Sequence, residues 1–106
     1  MFGHPKFGIE TLENDEFLTL ALAGEIDSTT AGQFDTEMMS ACAKCKNLIV
    51  DFAKVVYISS AGLRVLLNTH RKMIAENGKM TLVNIGEAVR EVFGITGFAD
   101  VLNIGN

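Results

Sequence analysis

Two segments near the start of the chain have the pattern of β-strands. Residues 7–13 and 16–24 are rich in strand-forming residues, and only an Asn-Asp pair at 14–15 separates them. Such a pair tolerates the positive φ angles of a two-residue turn, so the sequence predicts a tight β-hairpin. Leucines alternate along the second segment, and the residues between them are small or apolar. This pattern predicts an interior strand that is covered on both faces.

The period then changes to that of a helix. Apolar side chains recur at helical spacing, at Ala31, Phe34, Met38, Ala41, Cys42 and Cys45. They predict one amphipathic helix from about residue 30 to about residue 46. Thr30 and Gln33 have the spacing of a capping box at its start, and acidic residues early with lysines late match the helix dipole.

A second helix is predicted over residues 60–76. Asn77 and Gly78 follow it and supply a left-handed stop. The predicted inward face consists of Leu63, Leu66, Leu67, His70 and Ile74. This face identifies the helix as one that packs on a sheet.

The remaining segments are short. Residues 48–52 are a buried strand, whereas residues 55–58 are either a further strand or a buried loop, because periodicity alone does not decide between them. Residues 79–85 are predicted as a strand and residues 87–93 as a third helix. The apolar tail at 95–104 is expected to lie back on the sheet.

The element order is therefore ββαβαβα, which predicts a small α/β fold with a mixed β-sheet and helices packed against it. Each strand–helix–strand unit needs a right-handed crossover, so three strands should be parallel, with the first strand antiparallel at one end. No linker or repeat interrupts the chain, and we expect one domain over residues 1–106. The first strand, near a sheet edge, could pair between two copies in an oligomer.

Composition narrows the class of partner. Lys and Arg number 9 against 13 Asp and Glu, for a net charge of −4 in 106 residues, so nucleic acid is a poor candidate ligand. No apolar run approaches the roughly 18 residues of a membrane span, which argues against membrane insertion. The start of the chain lacks a signal peptide's basic and apolar regions. We expect a cytoplasmic protein.

Three other groups could carry chemistry. Cys42 and Cys45 have Cys-x-x-Cys spacing but fall late in the first helix, on its apolar stripe, so core packing is favoured over a redox pair or a zinc site. His70 could be a general base and Asp51 a catalytic carboxylate, as in a small hydrolase. No nucleophile or paired carboxylate stands at a suitable spacing, so we expect no enzyme activity, no metal site and no cofactor.

The sequence Ser-Ser-Ala-Gly at 59–62 is the strongest candidate site. Two hydroxyls precede a helix whose first turn holds small residues, and backbone N–H groups there point toward the hydroxyls. Gly62 would be a poor choice for capping alone, because a helical glycine costs about 1 kcal/mol relative to alanine. A phosphate on such a serine would be accepted by these donors and would block a docked partner.

Four motifs together resemble the STAS domain, in its free-standing bacterial form of anti-sigma factor antagonists. Gly-Glu-Ile-Asp at 24–27, followed by Thr30-Ala31, is similar to the family's turn from its second strand into its first helix. The segments at 48–58, 59–63 and 95–101 resemble its central strand, its Asp-Ser-Ser-Gly-Leu signature and its closing segment. The resemblance covers nearly the whole chain.

The resemblance implies a binding switch. Family members bind an anti-sigma factor that is also a serine kinase, and phosphorylation by that kinase, reversed by a PP2C-type phosphatase, ends the binding. The acceptor serine lies two residues before the glycine, which implies Ser60, with Ser59 as second choice. Ser59 stands where the family has an acid, and Ala61 where it has a serine.

The partner surface implied by the resemblance is Asp27, Ser59, Ser60, Ala61, Gly62 and Arg64. An alternative within the family is a STAS scaffold or subunit without a phospho-switch, in a signalling assembly or a lipid-transport complex.

Overall fold

The computed structural model describes residues 6–14 and 16–105. Within these residues the chain forms four strands and four helices, in the order β1 (Gly8–Glu13), β2 (Leu18–Ile26), α1 (Ala31–Lys44), β3 (Asn47–Ile58), α2 (Ser60–Ala75), β4 (Lys79–Val83), α3 (Glu87–Thr96) and α4 (Phe98–Val101). The α/β class and the order predicted from the sequence are confirmed, with the four-residue α4 as an addition.

The strands form one mixed sheet in the order β1-β2-β3-β4. The β1 and β2 strands are antiparallel, whereas β2 pairs with β3, and β3 with β4, in parallel. This is the predicted arrangement of three parallel strands with an antiparallel strand at one end. It places the carboxyl ends of β2 and β3 at the same edge of the sheet.

The core lies between one face of the sheet and the helices. Leu18, Leu20 and Leu22 of β2 alternate onto this face and are each 4% exposed or less. The residues between them, including Ala21, are only half-buried. The predicted interior strand is therefore confirmed in its position within the sheet, but the prediction of full cover on both faces was wrong, because the helices pack on one face only.

The predicted two-residue hairpin turn was also wrong. The β1 strand ends at Glu13, which pairs with Leu18, so the connection spans residues 14–17. Asp15 of the predicted turn lies outside the described residues. The side-chain oxygen of Asn14 accepts hydrogen bonds from the backbone N–H groups of residues 16 and 17, which favours a wider loop.

The β3 strand is continuous over twelve residues, which resolves the ambiguity at 55–58 in favour of a strand. Its pairing with β2 is shifted twice, and each shift adds one residue to β3. In its second half, every third residue is buried, namely Phe52, Val55 and Ile58. The two residues between each buried pair are exposed. Two β-bulges thus convert the usual period of two into a period of three, which explains why sequence periodicity did not identify a strand here.

The first helix is shorter than predicted and begins differently. It ends at Lys44 rather than near residue 46, and its first turn holds no acidic residue. Thr30 is the N-cap, but its side chain makes no cap bond within the described chain, so the capping box predicted with Gln33 does not form. The Thr30 hydroxyl accepts from the Asp27 amide and donates to the Glu25 carbonyl instead.

The inward face of α2 is rotated from the predicted one. Leu63 and Leu66 are buried as expected, but Ile74 is 57% exposed. The buried set also includes Gly62, Val65, Thr69 and Met73. Thr69 enters the core because its hydroxyl donates to the Val65 carbonyl at 2.8 Å, which satisfies its polar group locally.

The C-terminal part follows the prediction with shifted boundaries. Asn77, with φ of 61°, is the left-handed residue of the α2 stop, and the next strand ends at Val83 instead of residue 85. Ile104 forms a parallel bridge with Leu82, so the tail lies along the edge of the sheet as expected.

Candidate functional site

The candidate site is built where β2 and β3 end side by side. The last residues of the two strands, Ile26 and Ile58, are paired. The backbone N–H of Ser59 then donates to the Ile26 carbonyl at 2.8 Å. This bond holds the turn between β2 and α1, which contains Asp27, against the start of α2, as expected from the two strand-to-helix turns.

Gly62 allows this close approach. A Cβ at this position would lie 2.7 Å from Cγ2 of Ile26 and 2.7 Å from Cγ1 of Ile58, far inside normal contact distance. The first turn of α2 therefore rests directly on the ends of both strands. Gly62 was predicted as part of the partner surface, but it is buried beneath that surface. It contributes to the site by letting the helix pack closely on the strands.

Gly24 has a related role at the end of β2. Its φ is +88°, and a Cβ there would lie 2.7 Å from the carbonyl carbon of Lys6. Residues other than glycine rarely adopt this backbone conformation. The glycine of the Gly-Glu-Ile-Asp motif thus lets the chain before β1 cross beside the candidate site.

Asp27 is held in a fixed orientation by the residues that follow it. Its Oδ1 accepts from the Thr29 hydroxyl at 2.6 Å, the Thr29 amide at 2.9 Å and the Thr30 amide at 3.2 Å. These bonds, the Thr29 hydroxyl first among them, lower the pKa of Asp27, so the carboxylate is charged at neutral pH. Sequence reasoning missed Thr29, although the Asp-x-Thr spacing is a signal for such a turn.

The two candidate serines differ in accessibility. Ser59 is the N-cap of α2, but its side chain makes no cap bond, and its Oγ is buried with no hydrogen-bond partner among the described residues. Ser60, the first residue of α2, is exposed. Arg64 is also exposed and Ala61 is half-buried. Of these two serines, Ser60 is therefore the one that offers its hydroxyl to an incoming protein.

The cysteine pair lies away from this edge, late in α1. Cys42 is 4% exposed and Cys45 is half-buried, and both are free. Burial raises the pKa of the Cys42 thiol to about 11 and also raises the pKa of Cys45. A redox pair needs the opposite shift, because the thiolate is the reactive form.

The surroundings of Asp51 and His70 show no catalytic pairing among the described residues. Asp51 Oδ1 accepts from the Ala53 amide at 2.9 Å, at the first bulge of β3, and from the Asn84 side chain at 3.1 Å. His70 Nδ1 is buried and has no hydrogen-bond partner in the described part of the chain. Neither residue is paired with a nucleophile there.

Residues 6–14 and 16–105 contain neither a metal-binding cluster nor a helix that could cross a membrane. No group of three or more His, Cys, Asp or Glu side chains has an arrangement that could hold a metal ion. None of the helices in the same residues combines the length and the apolar character needed to cross a bilayer.

Comparison with known proteins identifies relatives over nearly the full chain. The family model described as STAS domain matches residues 8–106. The protein BtrV of Bordetella bronchiseptica, whose name describes it as an anti-sigma factor antagonist, is 33% identical over 93 residues. The match covers 87% of this chain and 80% of BtrV.

Solved structures agree with this result. An anti-sigma factor antagonist from Mycobacterium paratuberculosis superimposes with a TM-score of 0.84 at 25% identity, covering 93% of this chain and 85% of that one. The Bacillus cell fate determinant SpoIIAA in its phosphorylated form shares the fold, with a TM-score of 0.71 at 22% identity and coverage of 95% and 92%.

The packing of Gly62 yields a first prediction. Gly62→Ala should lower the free energy of unfolding by about 1–3 kcal/mol, because the methyl group overpacks Ile26 and Ile58. Gly32→Ala is the matched control, since a Cβ at this glycine of α1 would meet nothing within 4 Å. Gly32→Ala should raise the free energy of unfolding by about 0.5–1 kcal/mol. Urea unfolding followed by circular dichroism measures both, and a neutral Gly62→Ala would contradict the packing.

The buried thiol yields a second prediction. With its pKa at about 11 against an ordinary 9.0, Cys42 should be alkylated by iodoacetamide about a hundredfold more slowly at pH 8 than an unperturbed thiol. The rate should rise with pH up to about 11, as the thiolate forms. The measurement uses Cys45→Ser, which leaves one cysteine, with the urea-unfolded protein as the reference. Equal rates in the folded and unfolded protein would show that the thiol is not shielded.

Proposed function

Since this chain belongs to the STAS domain family, we propose that it is an anti-sigma factor antagonist controlled by phosphorylation of Ser60. In the unphosphorylated state it binds an anti-sigma factor and thereby frees a sigma factor. The partner is also the serine kinase that modifies Ser60, and a PP2C-type phosphatase restores the binding state. The chain itself is a binding protein and performs no catalysis, and its place of action is the cytoplasm, where the sigma factor meets RNA polymerase.

The exposure of Ser60 is the observation that carries this proposal. A kinase must reach the acceptor hydroxyl, and the Oγ of the neighbouring Ser59 is buried. Ser60 is exposed and is the first residue of a sixteen-residue helix. The choice between the two hydroxyls, which the family signature assigned by position alone, is thus supported independently by accessibility.

The start of α2 is also suited to carry a phosphate. The first turn holds no acidic residue, and the first intrahelical acceptor is the Ser59 carbonyl, which receives the Leu63 amide at 3.0 Å. The N–H groups before Leu63 have no acceptor within the helix and carry the positive end of its dipole. A phosphate of about two negative charges on Ser60 would be stabilised there without rearrangement of the fold.

The same charge would oppose docking. A partner seated over Ser60 would have to desolvate a dianion, which is strongly unfavourable unless the partner supplies cations to pair with it. Asp27, fixed nearby and charged at neutral pH, adds a further negative charge to this edge. The existence of SpoIIAA in a phosphorylated form agrees with the proposal that this fold tolerates the modification.

The identity of the acceptor can be tested by labelling. Incubation with the cognate anti-sigma factor kinase and ATP should add one phosphate to the wild type and to Ser59→Ala, but none to Ser60→Ala. Intact-protein mass spectrometry measures the product. Labelling of Ser60→Ala together with loss of labelling in Ser59→Ala would move the acceptor to Ser59. Absence of any labelling would favour the alternative of a STAS scaffold without a phospho-switch.

The effect of charge on binding is a separate prediction. Ser60→Asp should weaken binding to the purified anti-sigma factor at least about tenfold, because it places a negative charge in the interface. Its melting temperature should stay close to that of the wild type, because residue 60 is exposed. Ser40→Asp, at an exposed position late in α1, is the control with the same charge. Equal affinities of the two variants, measured by calorimetry, would contradict the proposal.

A further inference from the structure

Two exposed apolar residues lie beside the proposed phosphorylation site. Val56 and Tyr57, near the end of β3, are each 48% exposed. Tyr57 is paired with Glu25 of β2. Two residues after Tyr57, the backbone N–H of Ser59 donates to the Ile26 carbonyl. The two side chains therefore belong to the same sheet edge as Ser60 and Asp27. We call Val56 and Tyr57 the β3 patch.

The patch exists because of the irregular geometry of β3. Val56 is skipped in the pairing with β2, which passes from Val55 directly to Tyr57. This bulge places two consecutive apolar side chains in solvent, where a regular strand would bury one of them. The fold thus exposes a valine at this point, although it buries Val50 and Val55 elsewhere in the same strand.

The edge of β3 next to the patch also lacks a neighbouring strand. The pairing with β4 ends at Asp51 and Val83, so within the described residues the later part of β3 has a strand only on its β2 side. The α3 helix packs beside this part of β3, with the rings of Phe52 and Phe93 6.2 Å apart, and Val56 and Tyr57 are the apolar side chains left exposed there. The position of the patch beside Ser60 makes the partner of the switch the occupant that fits it.

We infer that the β3 patch is the apolar centre of the surface that binds the anti-sigma factor, and that it receives an apolar segment of that protein. The inference rests on the proposed function. It also explains why phosphorylation would prevent binding. A basic partner surface would pair with the phosphate and bind more tightly, whereas an apolar one must desolvate it without compensation.

The apolar side chains of this surface should supply most of its affinity. A few aromatic and apolar anchors supply most of the affinity at protein interfaces, and tyrosine is among the residues most often found in that role. A serine hydroxyl such as that of Ser60 contributes little by itself. Ser60 thus controls the interface by its charge state, while Val56 and Tyr57 supply its affinity.

The test is a pair of threonine substitutions. Val56→Thr and Tyr57→Thr place a β-branched, strand-forming residue at each position, so the strand should be retained. Leu12→Thr is the matched control, because Leu12 is a strand residue that is 53% exposed, on β1 at the other edge of the sheet. Binding to the purified anti-sigma factor is measured by calorimetry for each variant, with the melting temperature of the free proteins as the check on folding.

The double variant at 56 and 57 should weaken binding at least about tenfold, while Leu12→Thr binds within about twofold of the wild type.

Unchanged affinity of the double variant, together with weakened binding by Ser60→Asp, would overturn the inference and leave the proposed function intact. If the wild type does not bind the anti-sigma factor, the proposed function fails and the inference with it. A wild-type dimer in solution that the double variant abolishes, with no effect on affinity for the anti-sigma factor, would assign the patch to a second copy and also overturn the inference.

Discussion

The hydrogen bond from the Ser59 amide to the Ile26 carbonyl ties two distant parts of the sequence into one surface. It extends the parallel pairing of β2 and β3 past the ends of both strands. Next to this bond, Gly62 lets α2 rest against Ile26 and Ile58, where a Cβ would not fit. If the helix stood further away, Asp27 and Ser60 would be separated, and the site would no longer be a single surface.

This rigid edge is suited to a switch that works through charge alone. The carboxylate of Asp27 is fixed by three donors from Thr29 and Thr30. The start of α2 is fixed by the packing of Gly62. Under the proposed function, a phosphate added to this surface would change its electrostatics without needing a change of shape, and a partner would be accepted or refused according to the desolvation of that charge.

The irregularities of β3 have different consequences along the strand. The first bulge is stabilised by Asp51, which accepts from the Ala53 amide and from Asn84. These two bonds give a structural reason for a carboxylate at the end of an apolar run. The second bulge exposes Val56 beside Tyr57. The same bulge interrupts the regular pairing ladder and bends the strand at this point.

The sequence by itself determined the element order, the mixed sheet and the serine motif at the start of α2, because hydrophobic period and family signature are properties of neighbouring residues. Tertiary structure decided that β2 is fully buried on one face only and that α2 turns Ile74 outward. It also decided that Ser59 points inward while Ser60 is exposed. These outcomes depend on which distant residues pack against a position, and a local pattern carries no information about that packing.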